Sequence, residues 1–168
     1  MGNPKDDFSK IYDQFVDRIY RFIFLKVSSR DVAEDLTSDT FLRCWNVYKN
    51  DQKGIENNQA FLYKIARNLV IDHYRSKGKA KIVPIDDYPI IDTSGNIPES
   101  MNKKSDMDNV RAVLAGLNNS DYQDVITMHY VDDLSVPEIA EIMDKSEGTV
   151  RVLLHRALKS VKDKIEEV

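Results

Sequence analysis

The chain has 168 residues, a hydrophobic fraction of 42% and a net charge of −4 at neutral pH, so it can form one domain of ordinary size or two small ones. Its single cysteine, Cys44, excludes an intramolecular disulfide and a cysteine-rich zinc site, and its place on an apolar helical stripe favours a buried thiol. Residues 1–7 contain no apolar run, and no stretch of about 18 apolar residues exists, so we expect neither a signal peptide nor membrane insertion. These features predict a cytoplasmic protein.

The distribution of charge is more informative than its total. Residues 64–81 carry six basic side chains and one acidic side chain, a net charge of +5, and residues 145–164 carry six and two, a net charge of +4. Residues 84–108 carry six acidic and two basic side chains, a net charge of −4. Because attraction to phosphate acts over roughly one Debye length, two basic segments can bind nucleic acid even in an acidic chain.

The N-terminal part of the sequence predicts a bundle of three helices. Apolar residues recur at steps of three and four over 8–23, the segment 28–30 ends this first helix, and a second helix is predicted over about 31–48. An asparagine-rich loop over 50–58 precedes a third helix over about 59–76. The side chains of the second and third helices that we expect in the core are Leu36, Cys44, Trp45, Val47, Tyr48, Phe61, Leu62, Ile65, Ala66, Leu69 and Val70.

The segment 77–107 has a different composition, with several prolines, glycines and aspartates, and predicts an extended, flexible acidic linker. Helix is expected to resume near Asp106 and to continue to about Leu117. Ser120 and Gln123 have the spacing of a capping box, which predicts the start of a further helix. Asp121 and Asp124 are then explained by their place at that helix start, and Asp132 by a turn.

The segment 134–151 has the pattern of a helix-turn-helix. Ser135 and Glu138 form a capping box, so a helix is expected from Val136, and Pro137 is tolerated in its first turn because the early amide groups have no helical partner. A three-residue turn ending at Lys145 follows. This geometry is typical of modules that place a helix in the major groove of DNA.

Ser146 is expected to cap the second helix of this motif. Val150, Leu154 and Leu158 form its apolar stripe. The side chains on and beside the opposite face that we expect to contact DNA are Ser146, Glu147, Thr149, Arg151, Val152, His155, Arg156 and Lys159. An ordinary helical hairpin with a solvated basic face is the alternative for this segment taken alone.

Four stretches in this order resemble an RNA polymerase sigma factor of the extracytoplasmic-function type, within the bacterial sigma-70 family. Residues 31–45 resemble the family's polymerase-binding helix, and residues 60–75 resemble its promoter-melting helix. Residues 121–126 and 134–156 resemble its C-terminal DNA-binding region. Asp144 stands where the family often has glycine, and Val152 and Leu153 stand where it is often polar or basic. We expect Asp144 to preserve the turn, since Asp tolerates left-handed backbone.

The resemblance implies an all-α fold with two small helical domains. An N-terminal helical bundle over 1–76 would bind core polymerase and the minus-ten element, and a four-helix domain over 108–168, containing the helix-turn-helix, would bind the minus-thirty-five element. The flexible linker over 77–107 would join them. The implied partners are core RNA polymerase, promoter DNA and an anti-sigma factor, with no cofactor, no metal and no catalytic activity.

The resemblance also assigns sites within the N-terminal part. The polymerase-binding residues would be Asp31, Asp35, Leu36, Asp39 and Phe41; the three aspartates, at i, i+4 and i+8, form an acidic stripe suited to a basic partner. Complementing the helix dipole explains Asp31 equally well. The minus-ten DNA-binding residues would be Asn57, Asn58, Lys64, Arg67, Asn68 and Arg75. The alternative there is a solvated polar face with an Asn68–Asp72 hydrogen bond.

Other functions are weaker interpretations of the same residues. His73, His129 and His155 are too scattered for a metal site, and His129 is expected to serve in helix packing. No nucleophile or phosphate-binding loop accompanies the acidic residues, which argues against an enzyme. A stand-alone DNA-binding regulator would explain the helix-turn-helix but not the acidic stripe. A polymerase-binding adaptor would not need two basic segments.

Overall fold

The computed structural model describes residues 3–51, 54–80 and 101–166. Helices and turns, with no strand, make up these ranges, which confirms the all-α prediction. The helices are α1 (Pro4–Val27), α2 (Arg30–Tyr48), α3 (Asn58–Ala80), α4 (Met101–Ala115), α5 (Ser120–Ile126), α6 (Val136–Met143) and α7 (Glu147–Glu166). A π-helical turn, Thr127–Val131, continues α5. No helix within the described ranges is both long enough and apolar enough to cross a membrane.

Local capping sets the boundaries of the N-terminal helices. The side chain of Asn3 caps α1 by accepting a hydrogen bond from the Lys5 amide. Ser28 ends α1 in left-handed backbone with φ of 56°, and Ser29 caps α2 at the Val32 amide. Packing of α1 against α2 and α3 buries Phe22, Cys44 and many other apolar residues completely. This bundle presents one face of α3 to the C-terminal half.

Some sequence-based expectations for this half need correction. Val47 does not face the core, because its side chain is 42% exposed near the end of α2. Helix α3 continues to Ala80, and α4 already begins at Met101, so both ends of the segment predicted to be a linker are helical. Residues 81–100, which make up most of that segment, lie outside the described residues. Tyr48 is buried as expected, whereas Trp45 is half-buried against Phe8.

The helix-turn-helix is confirmed in detail. The hydroxyl of Ser135 accepts from the Glu138 amide, and the Glu138 carboxylate accepts from the Ser135 amide at 3.0 Å, which completes the capping box. Asp144 adopts left-handed backbone, with φ of 58°, so it preserves the turn as expected. Ser146 caps α7 at the Thr149 amide. Leu158 is a correction, since it is 42% exposed and the buried stripe consists of Val150, Leu154 and Ala157.

The start of α5 also differs from the prediction. Asn119, not Ser120, caps this helix by accepting from the amides of Asp121 and Tyr122. Gln123 is buried and donates to the carbonyl oxygens of Leu114 and Leu117, so it ties α5 to the end of α4. The sequence pattern pointed to the right place, but Asn at the preceding position is at least as good a cap as Ser.

The two halves pack directly against each other. Helix α1 contacts α4, and α3 contacts α6. Apolar residues of both halves belong to one continuous cluster, which joins Phe22 and Tyr63 to Met128 and Ile139. Polar side chains also cross the boundary, and their contacts decide which candidate functional residues face solvent.

Candidate nucleic-acid interface

The exposed face of α7 carries the residues expected to contact the minus-thirty-five element. All eight of these side chains, Ser146, Glu147, Thr149, Arg151, Val152, His155, Arg156 and Lys159, are exposed. Arg151 Nη2 lies 3.5 Å from Glu147 Oε1, one turn earlier. Both side chains are exposed, so this ion pair is weak and leaves Arg151 available for other contacts. Arg156 and Lys159 form no ion pair with any described residue. The helix therefore offers an unobstructed cationic surface.

The candidate minus-ten residues of α3 do not share one environment. Asn68 and Arg75 are exposed and Lys64 is half-buried. The described contacts contain no Asn68–Asp72 hydrogen bond, so that part of the alternative is not found, whereas the exposure of Asn68 and Arg75 agrees with a solvated polar face. Arg67, one position earlier, points instead into the boundary with the C-terminal half. The basic face of α3 is thus divided between solvent and an internal contact.

Arg67 belongs to a cluster that we call the boundary charge cluster: Lys26, Arg67, Asp121 and Asp124. The Arg67 Nε donates to Asp124 Oδ2 at 2.8 Å, and its Nη2 donates to Asp121 Oδ1 at 2.7 Å. Lys26 Nζ lies 3.0 Å from Asp124 Oδ1 and donates to the Ser120 hydroxyl at 2.8 Å. Burial disfavours the charged guanidinium, but the bonds and charges of Asp124 and Asp121 outweigh it and raise the pKa of Arg67.

This cluster corrects the explanation given to Asp121 and Asp124. They do not merely complement the start of α5, because their carboxylates neutralise basic groups from α1 and α3. The Asp124 side chain is 1% exposed. The sequence held one usable signal: Lys26 follows Ile19 and Phe22 at helical spacing, so a charged residue stands on the buried stripe of α1. That pattern indicates a buried ion pair but cannot name its partner.

A second polar contact crosses the boundary at Asp132. Its side chain is fully buried, and its Oδ1 accepts from Arg21 Nη2 at 2.6 Å and from Arg21 Nε at 3.0 Å. Its Oδ2 accepts from the hydroxyl of Tyr63 at 2.7 Å. Burial raises the pKa of Asp132 although both hydrogen-bond partners oppose the change, and burial together with the Asp132 charge raises the pKa of Tyr63. The turn assigned to Asp132 is correct, but its buried role was missed.

The loop before α3 also meets the C-terminal half. Asn57 caps α3 by accepting from the Ala60 amide, and its Nδ2 donates to Glu141 Oε2 at 3.1 Å. Asn58 is half-buried, and its Oδ1 has no hydrogen-bond partner among the described residues. Gln59 donates to the carboxylate of Glu138. Of the two residues expected here to contact DNA, Asn57 therefore binds α6 in this arrangement, whereas no described contact joins Asn58 to that helix.

The candidate polymerase surface on α2 is mostly open. Asp31 and Asp35 are exposed, and the Asp39 side chain is 41% exposed. The Oδ2 atom of Asp39 lies 3.5 Å from Arg43 Nε. Leu36 is half-buried beside this stripe. Phe41 departs from the expected surface role, because its ring is buried and packs edge-on against Tyr12 at 4.9 Å. In this structure Phe41 supports the helix from the core.

Comparison with known proteins agrees with this architecture. The model of the family described as Sigma-70 region 2 matches residues 11–80, and that of Sigma-70 region 4 matches residues 109–161. The ECF RNA polymerase sigma factor BldN of Streptomyces coelicolor is 32% identical over 96% of this chain, which spans 61% of that relative. The ECF RNA polymerase sigma factor SigW of Bacillus subtilis is 28% identical over 98% of this chain and 91% of its own length.

Two solved structures share the fold. CnrH, in complex with the cytosolic domain of CnrY, has a TM-score of 0.74 at 17% identity and covers 99% of this chain and 91% of its own. RpoE of Bartonella quintana, in complex with the anti-sigma factor NepR, has a TM-score of 0.70 at 21% identity, with coverages of 95% and 97%. Because both sigma-70 regions match in order and the two relatives match over 96% and 98% of this chain, the chain belongs to the extracytoplasmic-function subfamily of the sigma-70 family of sigma factors.

Proposed function

We propose that this sigma factor binds core RNA polymerase through α2, reads the minus-thirty-five element with α7 and uses the exposed face of α3 when the minus-ten element is melted. The single observation that carries the promoter role is the face of α7. A capped helix held on a helix-turn-helix presents an exposed, cationic surface opposite a buried apolar stripe. Such a helix suits the major groove in shape and the phosphates in charge.

The minus-ten role requires a change in the packing of the two halves. Arg67 and Asn57 are proposed DNA contacts, yet their polar groups bind Asp121, Asp124 and Glu141 here. The carboxylates of Asp121 and Asp124 accept charged hydrogen bonds from the Arg67 guanidinium, as a DNA phosphate would. We therefore propose that the compact arrangement is a resting state, and that α3 becomes fully available when core polymerase separates the halves.

The polymerase contact is proposed to use the acidic stripe Asp31, Asp35 and Asp39. We expect Asp35→Lys combined with Asp39→Lys to lower the affinity for core polymerase strongly, because two attractive charges become repulsive. Glu34→Lys combined with Ser38→Lys is the matched control, since both residues are exposed and lie about 100° around α2 from the stripe. Equal losses for both double variants, measured by titration against core polymerase, would refute a specific stripe.

The decisive experiment for the whole proposal is reconstitution with core polymerase. The full chain should co-purify with the core enzyme and direct transcription from a subset of a randomised promoter library. A stand-alone regulator would instead bind duplex DNA without polymerase and leave it unmelted. An adaptor would bind polymerase but select no promoter sequence. The two basic surfaces favour the sigma role over the adaptor, and the acidic stripe favours it over the regulator.

Since polymerase and promoters reside in the bacterial cytoplasm, we propose that the chain acts there. An anti-sigma factor is a proposed partner, supported by the complex of the similarly folded RpoE with NepR. We propose no catalytic activity of its own: the chain would act by positioning polymerase and stabilising melted DNA. Hydrolysis or group transfer by the purified chain would contradict this.

A further inference from the structure

Val152 occupies an unusual place on the helix proposed to read DNA. Its side chain is 46% exposed, although valine is apolar and other positions on this surface are mostly charged or polar. Two residues along an α-helix correspond to a rotation of about 200°, so the buried Val150 and Leu154 both lie nearly opposite Val152. Val152 therefore stands at the centre of the exposed face of α7, where packing within the protein does not require an apolar residue.

The residues that share this face surround Val152 with space on one side and positive charge on the other. Gly148 lies one turn before it, and a Cβ added there would meet only the Ser146 hydroxyl, at 4.0 Å. Arg156 lies one turn after Val152 and Lys159 two turns after it, and both are exposed. An apolar side chain thus projects from a surface whose own cations attract phosphate.

The chemistry of the major groove restricts what this side chain can contact. Valine cannot donate or accept a hydrogen bond, so it contributes nothing to phosphate binding or to the polar edges of bases. The apolar group that base pairs display in the major groove is the 5-methyl of thymine. A protein partner is disfavoured because the neighbouring cations match the charge of a nucleic acid.

From this geometry we propose that Val152 is a specificity-determining residue that contacts the 5-methyl group of a thymine in the minus-thirty-five element. The inference rests on the proposed function, since it presupposes that α7 enters that element. It adds a distinct kind of readout: the arginines of α7 would read hydrogen-bonding edges, whereas Val152 would read the presence of one methyl group.

The test uses the full chain assembled with core polymerase and a minus-thirty-five duplex obtained by selection. Each thymine in turn is replaced by deoxyuridine, which lacks only the 5-methyl group, and affinity is measured at fixed salt. We expect one replacement to weaken binding about fourfold, the ratio that corresponds to one methyl group buried from water. The other replacements should have little effect.

Val152→Ala then assigns the methyl contact to this side chain. The variant should bind the thymine duplex about fourfold more weakly and should no longer distinguish thymine from deoxyuridine at that position. Alanine favours helix, so the fold of α7 should be retained. Ile165→Ala is the matched control, because Ile165 is an exposed apolar residue about 20 Å further along α7 and should leave the discrimination intact.

The outcomes separate this inference from the function on which it rests. A wild-type holoenzyme that selects a minus-thirty-five element but tolerates deoxyuridine everywhere would overturn the inference and leave the sigma role standing. The same holds for a selected element without thymine, or for Val152→Ala retaining the discrimination. Failure of the wild type to select any element would overturn both.

Discussion

The two proposed DNA surfaces, on α3 and on α7, are both basic in sequence but differ in availability. On α7, Arg156 and Lys159 face solvent and contact no acidic residue among those described. On α3, Arg67 is held by Asp121 and Asp124 of the other half. The difference arises because α7 packs within its own half through one narrow stripe, whereas α3 packs both within the bundle and across the boundary.

This contrast suggests that the two surfaces are controlled differently. Substitutions of Arg156 and Lys159 on α7 should alter DNA binding with little change in stability, since these exposed side chains form no ion pair with the described residues. Substitutions at the boundary should alter stability, compactness and promoter opening together, because the same side chains serve all three. Variants can separate these expectations, beginning with the change of largest expected effect.

Asp124→Ala should destabilise the protein most. It would leave Lys26, whose side chain is 6% exposed, without its carboxylate and would remove one partner of Arg67. Breaking a buried ion pair in this way typically costs about 3–5 kcal/mol of unfolding free energy. Urea unfolding followed by circular dichroism measures the loss. Asp121→Ala is the control: its side chain is 33% exposed, so its loss should be nearer 1 kcal/mol. Equal losses of unfolding free energy in the two variants would show that Asp124 contributes no more to stability than Asp121.

Arg67 and Asn68 are neighbours in sequence, but Arg67 pairs across the boundary whereas Asn68 faces solvent, so their alanine variants can be compared. Loss of charged hydrogen bonds should make Arg67→Ala less stable by about 1.5–3 kcal/mol and less compact in small-angle X-ray scattering. Asn68→Ala, at an exposed position, should change stability by less than about 0.5 kcal/mol. Both should reduce promoter opening by the holoenzyme, measured by permanganate reactivity of unpaired thymines. An Arg67→Ala variant of unchanged stability would show that the boundary contact is weak.

On α7, Arg156→Ala and Arg151→Ala should reduce the preference among minus-thirty-five sequences by about 1–3 kcal/mol, since arginine is the commonest specific reader of guanine. Lys162→Ala should weaken all sequences similarly, because a lysine further along the helix would contact phosphate. Binding to a panel of single-base variants at fixed salt compares them. If both arginine variants lose affinity uniformly across the panel, these arginines bind phosphate alone.

Glu138→Gln probes a residue that serves the helix-turn-helix and the boundary at once. The hydrogen bond from the Ser135 amide, together with that from Gln59, lowers the pKa of Glu138 below its usual 4.5. A carboxyl group with a lowered folded pKa contributes stability above its unfolded value, and this is lost as pH falls through the folded value. Glu138→Gln should therefore cost about 1 kcal/mol near neutral pH and progressively less below pH 4.5.

Thermal unfolding of the wild type and of Glu138→Gln between neutral pH and pH 3 would show whether their difference in stability decreases as the pH falls. Ser135→Ala is the companion variant, because it removes the reciprocal bond through a hydroxyl that does not titrate in this range. Its cost should persist in acid. If the loss of stability caused by Glu138→Gln did not change with pH, the charge of the carboxylate would make no contribution to stability.

Local chemistry made several parts of the molecule predictable. The capping box of Ser135 and Glu138 involves residues three apart, and its geometry follows from helix structure alone. Asp144 at the left-handed turn and Cys44 in the core were likewise predictable from neighbours in sequence. Where competing local signals were close, as with Asn119 and Ser120, the sequence located the helix start to within one residue.

What the sequence by itself determined is the set of helices, their apolar stripes and the two basic segments, because each depends on spacings of three or four residues. Only the tertiary structure decided which charges remain available. Arg67 pairs with residues 54 and 57 positions away, and Asp132 bonds to Arg21 111 positions away. Helical periodicity carries no information about such partners, since it states which face a side chain occupies and not what packs against that face. The same periodicity describes Arg67 and Arg156 alike, yet packing places one in a partly buried ion pair and the other in solvent.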